Sequence, residues 1–262
     1  MTPAPAPAAT GPGALSGARV IVTGAAHGMG RGHCEYLAAR GARVAALDVD
    51  GDALTCAGAE LRAAGLDVVT RVCDVACRSQ VEAAVKEVAA GFGGLDAVVS
   101  NAGTVHAETG LEETDDDDWD RTIAVDLGGA RNVCRAALPL LRMSPHARVV
   151  IVSSLWAQRG LGFGYAYCAA KGALVSFARN LAVEVGPEQI LVNSISPGSV
   201  PTRMADGWGP AEIEADSASI PMRRWGDAQE ISRLVAFLIS PDAGYLTGQN
   251  IAVNGGQLFG GF

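Results

Sequence analysis

Seven short runs rich in Val, Ile and Ala recur along the chain, with helix-period patterns between them. Read as strands they are Arg19–Thr23, Arg43–Asp48, Asp67–Cys73, Leu95–Ser100, Arg148–Ser153, Ile190–Ile195 and Asn250–Val253. The runs do not alternate apolar with polar residues, so both faces of each strand are expected to be buried. The spacing predicts helices over Gly28–Arg40, Asp52–Ala64, Ser79–Phe92, Asp118–Met143, Tyr165–Val185, Pro210–Ser217 and Ala228–Ile239. Doubly buried strands separated by helices build an α/β fold: a parallel sheet wound with helices on both faces.

No linker composition divides the chain and no repeat period is visible, so residues 17–262 read as one domain. Residues 1–16 are rich in Pro, Ala and Gly and lack a basic start and an apolar stretch. They read as a short disordered tail rather than a secretory signal. No apolar run is long enough to span a bilayer, and the expected location is cytoplasmic. The formal charge of −8 offers no electrostatic footprint for nucleic acid or an anionic membrane. The six cysteines form no CxxC pair and read as small buried hydrophobes in a reducing compartment. Four scattered histidines give no metal-ligand spacing, and the acidic run Asp115–Asp118 reads as the cap of the helix that follows. No metal is expected.

The first strand runs directly into Thr23-Gly24-Ala25-Ala26-His27-Gly28-Met29-Gly30, where a helix starts. Glycines at such a turn let backbone N–H groups approach a pyrophosphate, and the helix N-terminus favours its negative charge. This marks the sheet as Rossmann-type. Asp48 ends the second strand, 20 residues after Gly28. A carboxylate there accepts hydrogen bonds from adenosine ribose hydroxyls and repels a 2′-phosphate. Val49 and Asp50 follow it, with no arginine to receive a phosphate, so NAD is the expected cofactor.

A second constellation lies in the helix after the fifth strand. Tyr167 and Lys171 stand four residues apart, on one helix face. A neighbouring ammonium favours phenolate, which is expected to lower the Tyr167 pKa toward the working range of an acid/base. The chain holds 18 arginines and only two lysines, Lys86 and Lys171, yet it places Lys here. Lysine is the compact cation whose protonation can be tuned, whereas Arg stays charged. Ser154 ends the fifth strand, 13 residues before Tyr167, and its hydroxyl is the candidate donor to a substrate oxygen. Its neighbour Ser153 points to the opposite face.

Together these residues resemble the short-chain dehydrogenase/reductase family, whose compact members carry TGxxxGxG and YxxxK. The resemblance covers nearly everything from Gly17 onward. It implies that Gly24, His27, Gly28, Met29 and Gly30 hold the cofactor, that Asp74 and Val75 meet the adenine, and that Asn101-Ala102-Gly103 is the family's NAG segment. A basic residue is typical of NADP-using relatives where this chain has His27. The resemblance further implies that Pro197, Gly198, Val200 and Thr202 form the nicotinamide segment, that Lys171 holds the nicotinamide ribose, and that Ser154 is the catalytic serine. Relatives carry Asn in a proton relay where this chain has Asp126. The resemblance implies a homotetramer, and Leu258–Phe262 is expected at a subunit contact.

The expected substrate is a small molecule, seated between Leu155–Gly164 and a lid at Arg203–Pro221. Trp156, Phe163, Met204 and Trp208 are candidate walls, with His106 as a further candidate. Such walls suit a hydrophobic or ring-bearing substrate. The expected activity is interconversion of a secondary alcohol and a ketone. Two alternatives stay open: an acyl-carrier-protein ketoreductase, which would prefer NADPH and a basic docking patch, and a catalytically silent NAD-sensing protein.

Overall fold

The computed structural model describes residues 15–104, 109–202 and 207–258. Seven strands form one sheet: β1 (Arg19–Thr23), β2 (Arg43–Asp48), β3 (Val68–Val72), β4 (Ala97–Ser100), β5 (Arg148–Val152), β6 (Leu191–Pro197) and β7 (Asn250–Val253). Every neighbouring pair is parallel, in the order β3-β2-β1-β4-β5-β6-β7. The helices are α1 (Gly28–Ala38), α2 (Gly51–Ala63), α3 (Arg78–Phe92), α4 (Asp116–Thr122), α5 (Gly129–Leu141), α6 (Tyr165–Val185), α7 (Pro210–Ser219) and α8 (Ala228–Ile239). The sheet therefore has the seven parallel strands that the apolar runs predict, with ends shifted by one or two residues.

The unbroken apolar runs find their reason in two core layers. One face of the sheet, with Ile21, Leu47, Val98, Val149 and Ile151, packs on α3, α5 and α6. The alternate residues Val20, Val22, Val44, Val99 and Val150 face α1, α2 and α8. A strand buried on both sides favours apolar residues at every position, and the buried polar residues of β6, Asn193, Ser194 and Ser196, are each hydrogen-bonded. All six cysteines are free thiols; Cys34, Cys73 and Cys134 are buried, whereas Cys56 is exposed, contrary to its reading as a buried hydrophobe. Leu15, in the expected tail, is buried, and its N–H donates to Arg40 O at 3.2 Å. Among the described residues no helix is long and apolar enough to cross a membrane.

The expectation of one regular helix over Asp118–Met143 needs a correction. The helical run is continuous from Asp116 to Leu141, but residues Ile123–Gly128 form a π turn between α4 and α5. Asp126 lies in that turn, where its carboxylate accepts from the Thr104 N–H at 2.8 Å. Turns of this kind recur at functional sites, because the extra residue re-aims a side chain. The acidic run ahead of it caps the helix as expected: Asp115 accepts from the N–H groups of Asp117 and Asp118 at 2.9 and 3.1 Å.

Candidate active site

The strand order reverses between β1 and β4, and in open parallel sheets this reversal opens a crevice at the carboxyl ends of the strands. A cleft of about 590 Å³ occupies that place. Its wall contains Gly24, His27, Gly28, Met29, Gly30, Asp48, Asp74, Val75, Asn101, Ala102, Gly103, Tyr167, Lys171 and Thr202, all of them candidates from the sequence.

At one end, β1 turns into α1. A Cβ on Gly30 would collide with the Gly24 carbonyl and stand 2.7 Å from Asn101 Nδ2. Asn101 binds this turn from the other strand, donating to Thr23 O at 2.9 Å and Gly24 O at 3.2 Å. Thr23 Oγ1 in return accepts from the N–H groups of Asn101 and Ala102. The N-cap of α1, His27, makes no side-chain cap bond, so the helix turns open N–H groups toward the cleft. Unfilled N–H groups over a glycine cradle fit a pyrophosphate.

Asp48 closes this end. Its oxygens accept from Ala26 N at 2.9 Å and Asp50 N at 3.0 Å, which fixes the carboxylate at the rim. His27 Nε2 lies 3.3 Å from Asp50 Oδ2, so the two residues that flank Asp48 pair with each other. Asp74 is tied to its own loop, accepting from Ala76 N at 2.9 Å.

At the other end, α6 brings Tyr167 and Lys171 to the wall, and both are buried. Lys171 Nζ donates to Val152 O at 3.3 Å, faces Asp126 Oδ2 at 3.2 Å, and lies 5.4 Å from the centre of the Tyr167 ring. Ser154 hydrogen-bonds the Tyr167 phenol. Ser153 instead donates to the Lys171 backbone carbonyl at 2.7 Å and ties α6 to β5. The two serines diverge, but it is Ser153 that stands on the cleft wall, while Ser154 lies off it beside the phenol, contrary to the expectation that Ser154 is the one facing the cleft.

The electrostatics differ from the expectation in one respect. Burial pushes the Tyr167 phenol above its usual value; Lys171 and Ser154 pull it down, and Asp126 pushes it up again. The net shift is upward, not downward. Burial also acts to lower the Lys171 pKa, but the Asp126 carboxylate and Tyr167 more than reverse this.

Other candidates sit elsewhere. Asp126 is buried behind Lys171 rather than on the cleft wall. Pro197 and Val200 are buried, the Gly198 N–H donates to Val253 O at 3.1 Å, and of this segment only Thr202 stands on the cleft wall. Trp156 stacks under the Arg159 guanidinium at 5.5 Å. Trp208 meets Trp225 edge-on, with ring centres 5.7 Å apart. Neither tryptophan, nor Phe163, belongs to the cleft wall. His106, Met204 and residues 259–262 lie outside the described residues.

A family model described as enoyl-(acyl carrier protein) reductase matches residues 24–257. An uncharacterized short-chain type dehydrogenase/reductase of Sinorhizobium fredii is 36% identical over 251 residues, covering 93% of this chain and 98% of the relative. This chain belongs to the short-chain dehydrogenase/reductase family. The 3-oxoacyl-[acyl-carrier-protein] reductase of Escherichia coli is 33% identical over 243 residues, covering 93% of this chain and 98% of that protein. The crystal structure of levodione reductase superposes with a TM-score of 0.88 at 32% identity, covering 92% of this chain and 98% of that one. An oxidoreductase of this family uses a nicotinamide dinucleotide, and the cradle of Gly30 and the open α1 N-terminus fit one.

Several residues of the site escape sequence reasoning. Thr104, Arg121, Val125 and Val152 line the cleft, and Thr23 braces the Asn101 segment. Thr104 follows the Asn101-Ala102-Gly103 motif directly, and that adjacency was the available signal.

Proposed function

We propose that this short-chain dehydrogenase/reductase interconverts a secondary alcohol and a ketone with NAD, using Tyr167 as general acid/base. The observation that carries the reading is one cleft with Asp48 at one end and the buried Tyr167–Lys171 pair at the other. The bound nicotinamide supplies or accepts the hydride. Tyr167 Oη takes the alcohol proton in oxidation and returns it in reduction. Ser154 presents its hydroxyl to the same substrate oxygen and holds the phenol in place. Lys171 opposes the upward push that burial gives the phenol, and Ser153 fixes the backbone from which Lys171 projects. Asp48 selects NAD over NADP, because a fixed carboxylate repels a 2′-phosphate. The apolar loops after β5 and before α7 favour a hydrophobic or ring-bearing small molecule. The working form is a cytoplasmic homotetramer.

A second reading is favoured by the Escherichia coli relative: reduction of an acyl-carrier-protein substrate. Asp48 and the net charge of −8 weigh against it, since an acidic carrier protein calls for a basic docking face. A silent NAD sensor has no need for Ser154, Tyr167 and Lys171 together. Absorbance at 340 nm, with NAD and NADP in parallel against aliphatic, cyclic, terpenoid and sugar alcohols, tests the proposal. NADH formation from one class supports it. Turnover only with NADPH and a 3-oxoacyl thioester replaces it with the second reading.

A further inference from the structure

Asp126 stands where the family resemblance implies Asn, and its side chain has no contact with solvent. Its two oxygens face two different donors. Oδ1 accepts from the Thr104 backbone N–H at 2.8 Å and lies 3.2 Å from Thr104 Oγ1, which is itself 3.3 Å from Thr122 Oγ1. Oδ2 faces Lys171 Nζ at 3.2 Å, as an ion pair rather than an aligned hydrogen bond. Neither principal donor can reverse its role. A backbone amide offers no lone pair, and an ammonium has three donors and no acceptor. An Asn in this pose satisfies one of them and aims its own NH₂ at the other. Gly103 makes the approach possible, since a Cβ there would stand 3.1 Å from both Asp126 Oδ2 and Lys171 Nζ.

We infer that Asp126 is a counter-ion built into the proton-transfer site, accepting from the Thr104 loop through one oxygen and pairing with the Lys171 charge through the other, so that Lys171 meets Tyr167 as half of an ion pair rather than as a lone cation. Asp126 is a positioning residue that acts through Lys171. The inference rests on the reading of Tyr167 as the acid/base and deepens it.

The consequence is electrostatic. Three groups face Tyr167 and Lys171: Cys168 beside them on α6, Asp126 from the π turn, and Ser154 from the end of β5; the exposed Arg121 of α4 lies on the same cleft wall. Burial, Asp126 and Cys168 hold the phenol up, against Lys171 and Ser154. Removing the Asp126 charge leaves the Lys171 cation unopposed as long as Lys171 stays protonated, and the phenolate then forms at lower pH; Lys171 itself gives up its proton more easily, because the carboxylate no longer offsets its burial.

The test uses two readouts. Phenolate absorbance near 295 nm, taken as wild type minus Tyr167→Phe, titrates Tyr167 without any substrate. The pH dependence of kcat/KM titrates it in turnover. Asp126→Asn is expected to move both midpoints to lower pH by about one unit. Asp126→Glu keeps the charge and is expected to leave the optical midpoint near that of wild type, while kcat falls. Gly103→Ala pushes the paired groups apart and is expected to shift the midpoint in the same direction by less, which keeps the test open if Asp126→Asn does not fold. An optical midpoint that stays in place or rises in Asp126→Asn overturns the inference, as does a Glu variant that shifts as far as the Asn variant. A wild type that shows the optical shift on mutation but turns over no alcohol or ketone overturns the acid/base reading and leaves the ion pair standing.

Discussion

His33, on α1, predicts a specific pH dependence of stability. It is fully buried and faces Ser232 on α8. Ser232 Oγ donates its proton to Ala228 O at 2.8 Å, so toward His33 it can only accept. His33 Nδ1, 2.7 Å away, therefore carries the ring hydrogen, and Nε2 is left bare with no partner among the described residues. Protonation places an N–H at Nε2 where nothing receives it. Burial accordingly lowers the His33 pKa from 6.5 to about 3. The folded state refuses a proton that the unfolded chain accepts. The stability this contributes is complete above pH 6.5 and is lost as pH falls toward about 3. Proton linkage between those two values removes about 1.4 kcal/mol on going from about pH 7.5 to about pH 5.5. The lower pH stays above the isoelectric point near 5.0, which limits precipitation. Urea unfolding of wild type and His33→Leu at both pH values isolates this share, because every other titrating group is common to the two proteins. Wild type should lose about 1.4 kcal/mol more than His33→Leu over this interval. Equal losses would refute the tautomer argument and the burial cost together.

Two further substitutions probe the cofactor end. Asp48→Ala removes a half-buried carboxylate whose like-charge penalty against a 2′-phosphate, cut by solvent screening, is about 2 kcal/mol. The NADP-to-NAD ratio of kcat/KM should therefore rise about 30-fold, and an unchanged ratio would remove Asp48 from the specificity argument. Gly30→Ala places a methyl against the Gly24 carbonyl and Asn101 Nδ2, at a cost of about 3 kcal/mol of strain. Fluorescence titration with NADH should show binding weakened by roughly 100-fold or more, and wild-type affinity would mean that the turn can relax.

Much of this architecture is legible in the sequence because it rests on pattern. RVIVT and RVVIV read as doubly buried strands, and the two core layers use every apolar residue of them. Gly24, Gly28, Gly30, Asp48, Tyr167 and Lys171 fall on one cleft because the strand–turn–helix context fixes where each must lie. The π turn is not legible: apolar spacing cannot tell one extra residue in a helical ring from a regular turn. For the same reason Asp126 reads as a departure from a family motif, while its partners Thr104 and Lys171 emerge only when loop and helix meet in space. The phenol of Tyr167 shows a second limit. Spacing reveals the Lys171 cation that lowers its pKa, but not the burial and the Asp126 charge that together outweigh it. Trp208 reads as a pocket wall from its place in the lid, yet packs on Trp225, a contact between positions 17 residues apart that no local pattern encodes.

The central claim is that Tyr167 moves the proton while the rest of the cleft holds the dinucleotide. Tyr167→Phe tests it most directly, with turnover followed at 340 nm and NADH binding followed by fluorescence on the same preparation. The account predicts that turnover falls by roughly 100-fold or more while NADH affinity stays close to that of wild type. A variant that binds NADH and still turns over near the wild-type rate would contradict it.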